Sequence, residues 1–219
     1  SYYDNEGLSR LYPDALAAAA AAGYNTANYQ FPVVFTSSRP AAGYAGVAYV
    51  GARGAHIANG YFDERVTSHE LGHNKGLWHA HYWNTANAST IGAGTSDEYG
   101  GPYDVMGYGG YNAAHYSAGK KYVLGWITPA MAPLAPASAT TTYRIYTHDQ
   151  QSVNNLISVV RASRSGQDYF VEYRSRYSGD DMRNGVLLHW CDDDGNNATV
   201  LDARPGENGD ALYLGRTFS

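Results

Sequence analysis

The chain has 219 residues, 44% hydrophobic and 16% charged, which fits one large globular domain or two small ones and excludes a disordered polypeptide. A formal charge of −5 leaves no basic stripe, so no nucleic acid partner is expected. The longest apolar run, residues 16–22, is far shorter than the ~20 residues that cross a bilayer, so no membrane span is expected either.

Residues 7–22 read as a helix, with Leu8, Leu11, Leu16 and a run of alanines before Gly23; Pro13 either splits it or marks its true start. Residues 31–36 and 45–50 read as short strands, and residues 55–62 as a third strand at a sheet edge. A second helix is expected over residues 67–77, capped by Thr67 or Ser68 and ended by Gly76. Residues 86–110, rich in Gly, Ser, Thr and Tyr, read as an ordered loop, and residues 113–124 as a helix. Residues 128–142 carry Pro129, Pro133 and Pro136 among small residues and read as a linker. Beyond it, residues 142–146, 156–161, 169–173, 186–190 and 199–201 are short alternating segments, the pattern of an all-β, sandwich-like region. The single cysteine, Cys191, can form no internal disulfide and reads as a small packed side chain.

The expected organisation is therefore an α/β domain over residues 1–127, with a small twisted mixed sheet plus helices. A linker over 128–142 and a β-sandwich-like region over 143–219 follow. So little precedes the first helix, and the last residues stop so abruptly in the β region, that a longer precursor is expected.

Chemistry concentrates in His69-Glu70-Leu71-Gly72-His73-Asn74-Lys75-Gly76-Leu77-Trp78-His79. Histidines four apart lie on one face of a helix and can hold one ion together. Catalytic zinc takes three protein ligands and keeps a position open for water. A glycine at Gly76 can take positive φ and turn the chain so that His79 returns as the third ligand. Glu70 then stands beside the water as general base. His69, His73 and His79 are the expected metal ligands and Glu70 the expected catalytic residue, with Zn2+ as cofactor and a protein or peptide as substrate.

This elongated motif resembles that of the metzincin peptidases, which pair it with a methionine in a tight turn below the metal. Met106, in Asp104-Val105-Met106-Gly107-Tyr108, is the candidate. In the astacin and serralysin branches a tyrosine at the offset of Tyr108 reaches the zinc. By resemblance Tyr108 either helps to stabilise the oxyanion or lines the primed-side wall.

Residues 67–74, Glu98-Tyr99-Gly100, residues 104–107, Leu124-Gly125-Trp126 and the later residues 185–189 and 201–206 resemble the gametolysin (autolysin) family. Gametolysin itself carries glutamine at the first ligand position, where this chain has His69. The resemblance implies secretion and action on extracellular-matrix or cell-wall glycoproteins. Two other readings stand beside it: a non-catalytic zinc-containing adhesion module, and an immune-inhibitor-type protease. Intact Glu70 argues against the first, since a structural site has no use for a base.

Other polar residues receive no catalytic role. His81 lies beyond a filled ligand set, and His115 reads as packed or solvated. His56, His148 and His189 are assigned no chemistry, and Glu98 and Asp104 read as loop ties. Residues 192–197 are rich in oxygen ligands of the kind calcium favours, though they lack the full twelve-residue calcium-loop pattern and read as a hairpin turn.

Overall fold

The computed structural model describes residues 6–108, 115–150, 156–176, 185–191 and 197–217. Contacts divide the chain into two compact units, Ser1–Trp78 and His79–Ser219. The architecture is mixed α/β, with a three-stranded sheet in the first unit and a seven-stranded sheet in the second.

In the first unit a π-helical turn, Gly7–Leu11, leads into α1, Tyr12–Ala21. Pro13 lies in the first turn of α1 and so marks its start, where a missing N–H costs nothing. The sheet comprises β1 (Val33–Phe35), β2 (Gly46–Ala48) and β3 (Ala55–Ile57), in the order β1-β3-β2. β3 runs parallel to β1 and antiparallel to β2. The segment expected at a sheet edge is therefore the central strand. Ala55, His56 and Ile57 are all fully buried, and pairing on both sides leaves no free edge there.

α2, Glu64–Asn74, packs against β2 and β3. It starts three residues before the expected Thr67, and its cap is Asp63 in place of Thr67 or Ser68. Asp63 is extended, and its carboxylate accepts the Val66 N–H at 2.8 Å, so the first turn forms around the acid. The expected stop holds. Gly76 takes φ +94°, its N–H donates to the His73 carbonyl, and the Leu77 N–H donates to the Gly72 carbonyl. This is a Schellman motif, completed by the fully buried Leu77.

The second unit contains β4 (Ala80–Thr85), β5 (Gly94–Asp97), α3 (Ala118–Val123), β6 (Val159–Arg164), β7 (Gln167–Glu172), β8 (Gly185–Cys191), β9 (Ala198–Leu201) and β10 (Leu212–Tyr213). Its sheet has the order β5-β4-β9-β8-β7-β6, with β10 on β8, and only β4–β9 is parallel. The sheet thus takes strands from both sides of the proline-rich stretch. Among the described residues it is one layer, and a facing layer of the kind a sandwich has is not among the described strands.

The proline-rich stretch is itself packed at its start. Met131 and Ala132 join Phe170, Val159 and Cys191 in the core, and the Met131 carbonyl accepts the Ser158 N–H at 2.9 Å. Residues 142–146 form no strand; the Tyr146 N–H donates to the Ile157 carbonyl at 2.8 Å. The hairpin β4–β5 falls partly in the expected loop. Of the oxygen-rich turn, residues 192–196 lie outside the described residues, as do residues 113–114 of the expected third helix.

Candidate metal centre

α2 presents His69 and His73 one turn apart, with their rings edge to face and centroids 4.8 Å apart. Past the Gly76 turn, the continuous chain brings His79 round. One nitrogen of each of His69, His73 and His79 lies within 4.8 Å of the others, so the three could hold a metal ion.

Two of the imidazoles are oriented by what their Nδ1 atoms face. His73 Nδ1 is 2.8 Å from the Leu77 carbonyl oxygen, and His79 Nδ1 is 2.6 Å from Glu98 Oε1. A carbonyl accepts only, so the hydrogen of neutral His73 sits on Nδ1 and the Nε2 lone pair is left for a metal. The same holds for His79 facing a carboxylate. The hydrogen bond from His79 holds Glu98 below its ordinary range, so its carboxylate stays ionised. The Tyr99 ring lies against His79 with centroids 3.7 Å apart.

Glu70 lies between the two helical histidines and is 5% exposed. Its Oε2 is buried and finds no hydrogen-bond partner among the described residues. Burial pushes its pKa up to about 8. A buried carboxyl oxygen with nothing to accept from is costly unless a water or substrate completes it. Three clustered imidazoles, two of them with Nδ1 already engaged, and an orphaned carboxyl oxygen fit a catalytic zinc with its water.

A sequence-family model described as gametolysin peptidase M11 matches residues 13–200. The chain belongs to this family. It is accordingly a metallopeptidase, and proteins or peptides are its substrates. No curated protein and no solved structure matches the chain. Among the described residues of this gametolysin-family peptidase, no helix is long and apolar enough to cross a membrane.

The loop carrying Met106 is built around Asp104. One carboxylate oxygen accepts the Met106 N–H at 2.8 Å, and the other accepts the Ser117 N–H at 2.8 Å. The Gly107 N–H donates to the Asp104 carbonyl, closing a tight turn, and the Ala80 N–H donates to the Met106 carbonyl. Met106 is fully buried, whereas Tyr108 is 73% exposed.

The remaining histidines of this peptidase have structural partners. His56 sits between Thr36 Oγ1 and Tyr44 Oη at 3.0 and 2.9 Å, and His81 Nδ1 meets Ser96 Oγ at 2.9 Å. Lys121 Nζ donates to His115 Nδ1 at 2.6 Å and to His148 Nδ1 at 2.9 Å. Burial, then the Lys121 charge, holds His115 down to about 4, so it accepts as the neutral ring.

Two residues close to Glu70 were not singled out from sequence. Asn74 Nδ2 faces the carbonyls of Tyr49, Ala52 and Gly54 at 2.8–3.1 Å, fastening residues 49–54 to the end of α2. Gly46 lies against Glu70. An asparagine inside the histidine-bearing stretch 69–79 was a usable signal, whereas a glycine opening a short strand carries none.

Proposed function

We propose that this peptidase is a zinc-dependent metalloendopeptidase of the metzincin type, acting on extracellular or cell-wall proteins. His69, His73 and His79 would hold the zinc, Glu70 is the general base, and Met106 forms the apolar floor. The observation that carries the reading is the buried, unpartnered Glu70 oxygen on the helix that supplies two of three clustered imidazoles. When bound, zinc would supply Lewis-acid chemistry, bringing the pKa of a water to about 7 and polarising the scissile carbonyl.

The chain's own residues do the rest. Glu70 Oε2 accepts a proton from the attacking water and passes it to the leaving amine. An extended peptide adds as a strand to β2, an edge strand of the small sheet. The exposed Tyr108 phenol is free to donate to developing negative charge. The attacking group is water, so no acyl-enzyme forms.

Zinc content and casein proteolysis are to be measured side by side in wild type and Glu70→Ala. The expected result is about one zinc per chain in both, with activity lower by ~10²–10⁴-fold in the variant. Zinc in both proteins with activity in neither, across a panel of protein substrates, would replace the peptidase reading by the adhesion-module one.

A further inference from the structure

We propose that Gly46 is a positioning residue for the Glu70 carboxylate, the bare backbone of β2 forming the wall against which the base is set. Gly46 opens β2 and pairs with Ile57 on its inner side. A Cβ built on Gly46 would stand 2.7 Å from Glu70 Cγ and 2.8 Å from Cδ, and closer still to Oε1. Carbon atoms at rest against each other stand ~3.5–4.0 Å apart. Even one methyl group would therefore displace either the carboxylate or the strand.

Backbone conformation does not require this glycine, because Gly46 is absent from the positive-φ residues. Glycine inside a strand weakens it, and its presence there marks a close approach by another group. Here that group is the Glu70 side chain. With Oε1 against the β2 backbone and Oε2 buried without a partner, the carboxylate has one face fixed and the other left for a proton. The functional consequence rests on the reading of Glu70 as the base, whereas the steric relation does not.

The test is a double-mutant cycle with two readouts. In metal-free protein, Gly46→Ala should lower Tm by about 2 °C or more in the wild-type background. In the Glu70→Ala background the atoms that would collide are gone, and the same substitution should leave Tm unchanged or raise it. In zinc-loaded protein, Gly46→Ala should keep one zinc and hold KM within about twofold, while kcat falls ~10–100-fold, as expected of a base displaced by roughly 1 Å.

Equal Tm changes in both backgrounds would overturn the proposal, as would an unchanged kcat. If Gly46→Ala alone does not fold, recovery of folded protein by adding Glu70→Ala supports the proposal, and failure to recover it rejects it. Full activity in Glu70→Ala alone would instead reject the assignment of the base and leave the cycle as a separate result.

Discussion

Glu98 faces the Nδ1 of His79 at 2.6 Å, so its exposed carboxylate fixes the ring and its tautomer. Glu98→Gln keeps the shape and removes the charge. Zinc affinity should fall ~10–100-fold, the usual cost of losing such a partner, and competition with a chelator measures it. An unchanged affinity would mean the contact only tethers the loop. Glu70 gives a prediction of opposite character in metal-free protein. Its folded pKa, raised by burial to about 8, lies above the ordinary 4.5, so the fold favours the neutral acid. Its contribution to stability is complete below about 4.5, declines as pH rises, and is gone above about 8. The difference is on the order of a few kcal/mol. Denaturation at pH 5 and pH 8.5 should show it in wild type and not in Glu70→Gln; the same difference in both would place its origin elsewhere.

At the scale of elements, α2 and the turn after it carry the geometry of the proposed ligands. The end of α2 was legible because a helix stopping one turn before His79 needs a residue free to take positive φ, and Gly76 does so. Its start was not legible. Asp63, Thr67 and Ser68 can all cap, and the choice depends on which residue the incoming chain leaves extended. Gly76→Ala forces a side chain into left-handed backbone, and should cost about 1 kcal/mol or more and lower Tm by ~2–4 °C. It should also weaken zinc binding, since His79 reaches its place through that turn. A variant with lowered Tm and wild-type zinc affinity would show that the chain after Leu77 is placed by its own packing. β4 and β5 escaped the sequence reading for a different reason. His81-Tyr82-Trp83-Asn84 and Thr95-Ser96-Asp97 lack apolar alternation, and β5 is largely exposed at the sheet's end.

Across the second unit, the least legible feature is a buried charge network. Along β7 and the residues after it, Phe170, Glu172 and Arg174 point inward, while Val171 and Tyr173 are only half-buried. Read as a binary pattern, the charges would go to solvent. Instead, Glu172 accepts the Ala118 N–H at 2.6 Å, lies 3.0 Å from His148 Nε2 and 3.1 Å from His189 Nε2, and pairs with Arg174. Arg174 in turn donates to the Tyr103 carbonyl, just before the Met106 turn. The partners come from α3, β8 and two loops, so no local sequence signal could have joined them. Burial alone would push Glu172 up, but Arg174, His189 and His148 outweigh it and hold the carboxyl well below its ordinary range. A depressed carboxyl stabilises the fold above its ordinary pKa, and that contribution is lost as pH falls through the depressed folded value. Glu172→Gln leaves Arg174 buried without its counter-charge and should cost about 3–5 kcal/mol at neutral pH. The loss should shrink as the pH is lowered, because wild type then sheds the same interaction. Chemical denaturation of both proteins from pH 7 to pH 3 measures this. A gap independent of pH would show that Glu172 acts through shape and hydrogen bonding, with its charge contributing little.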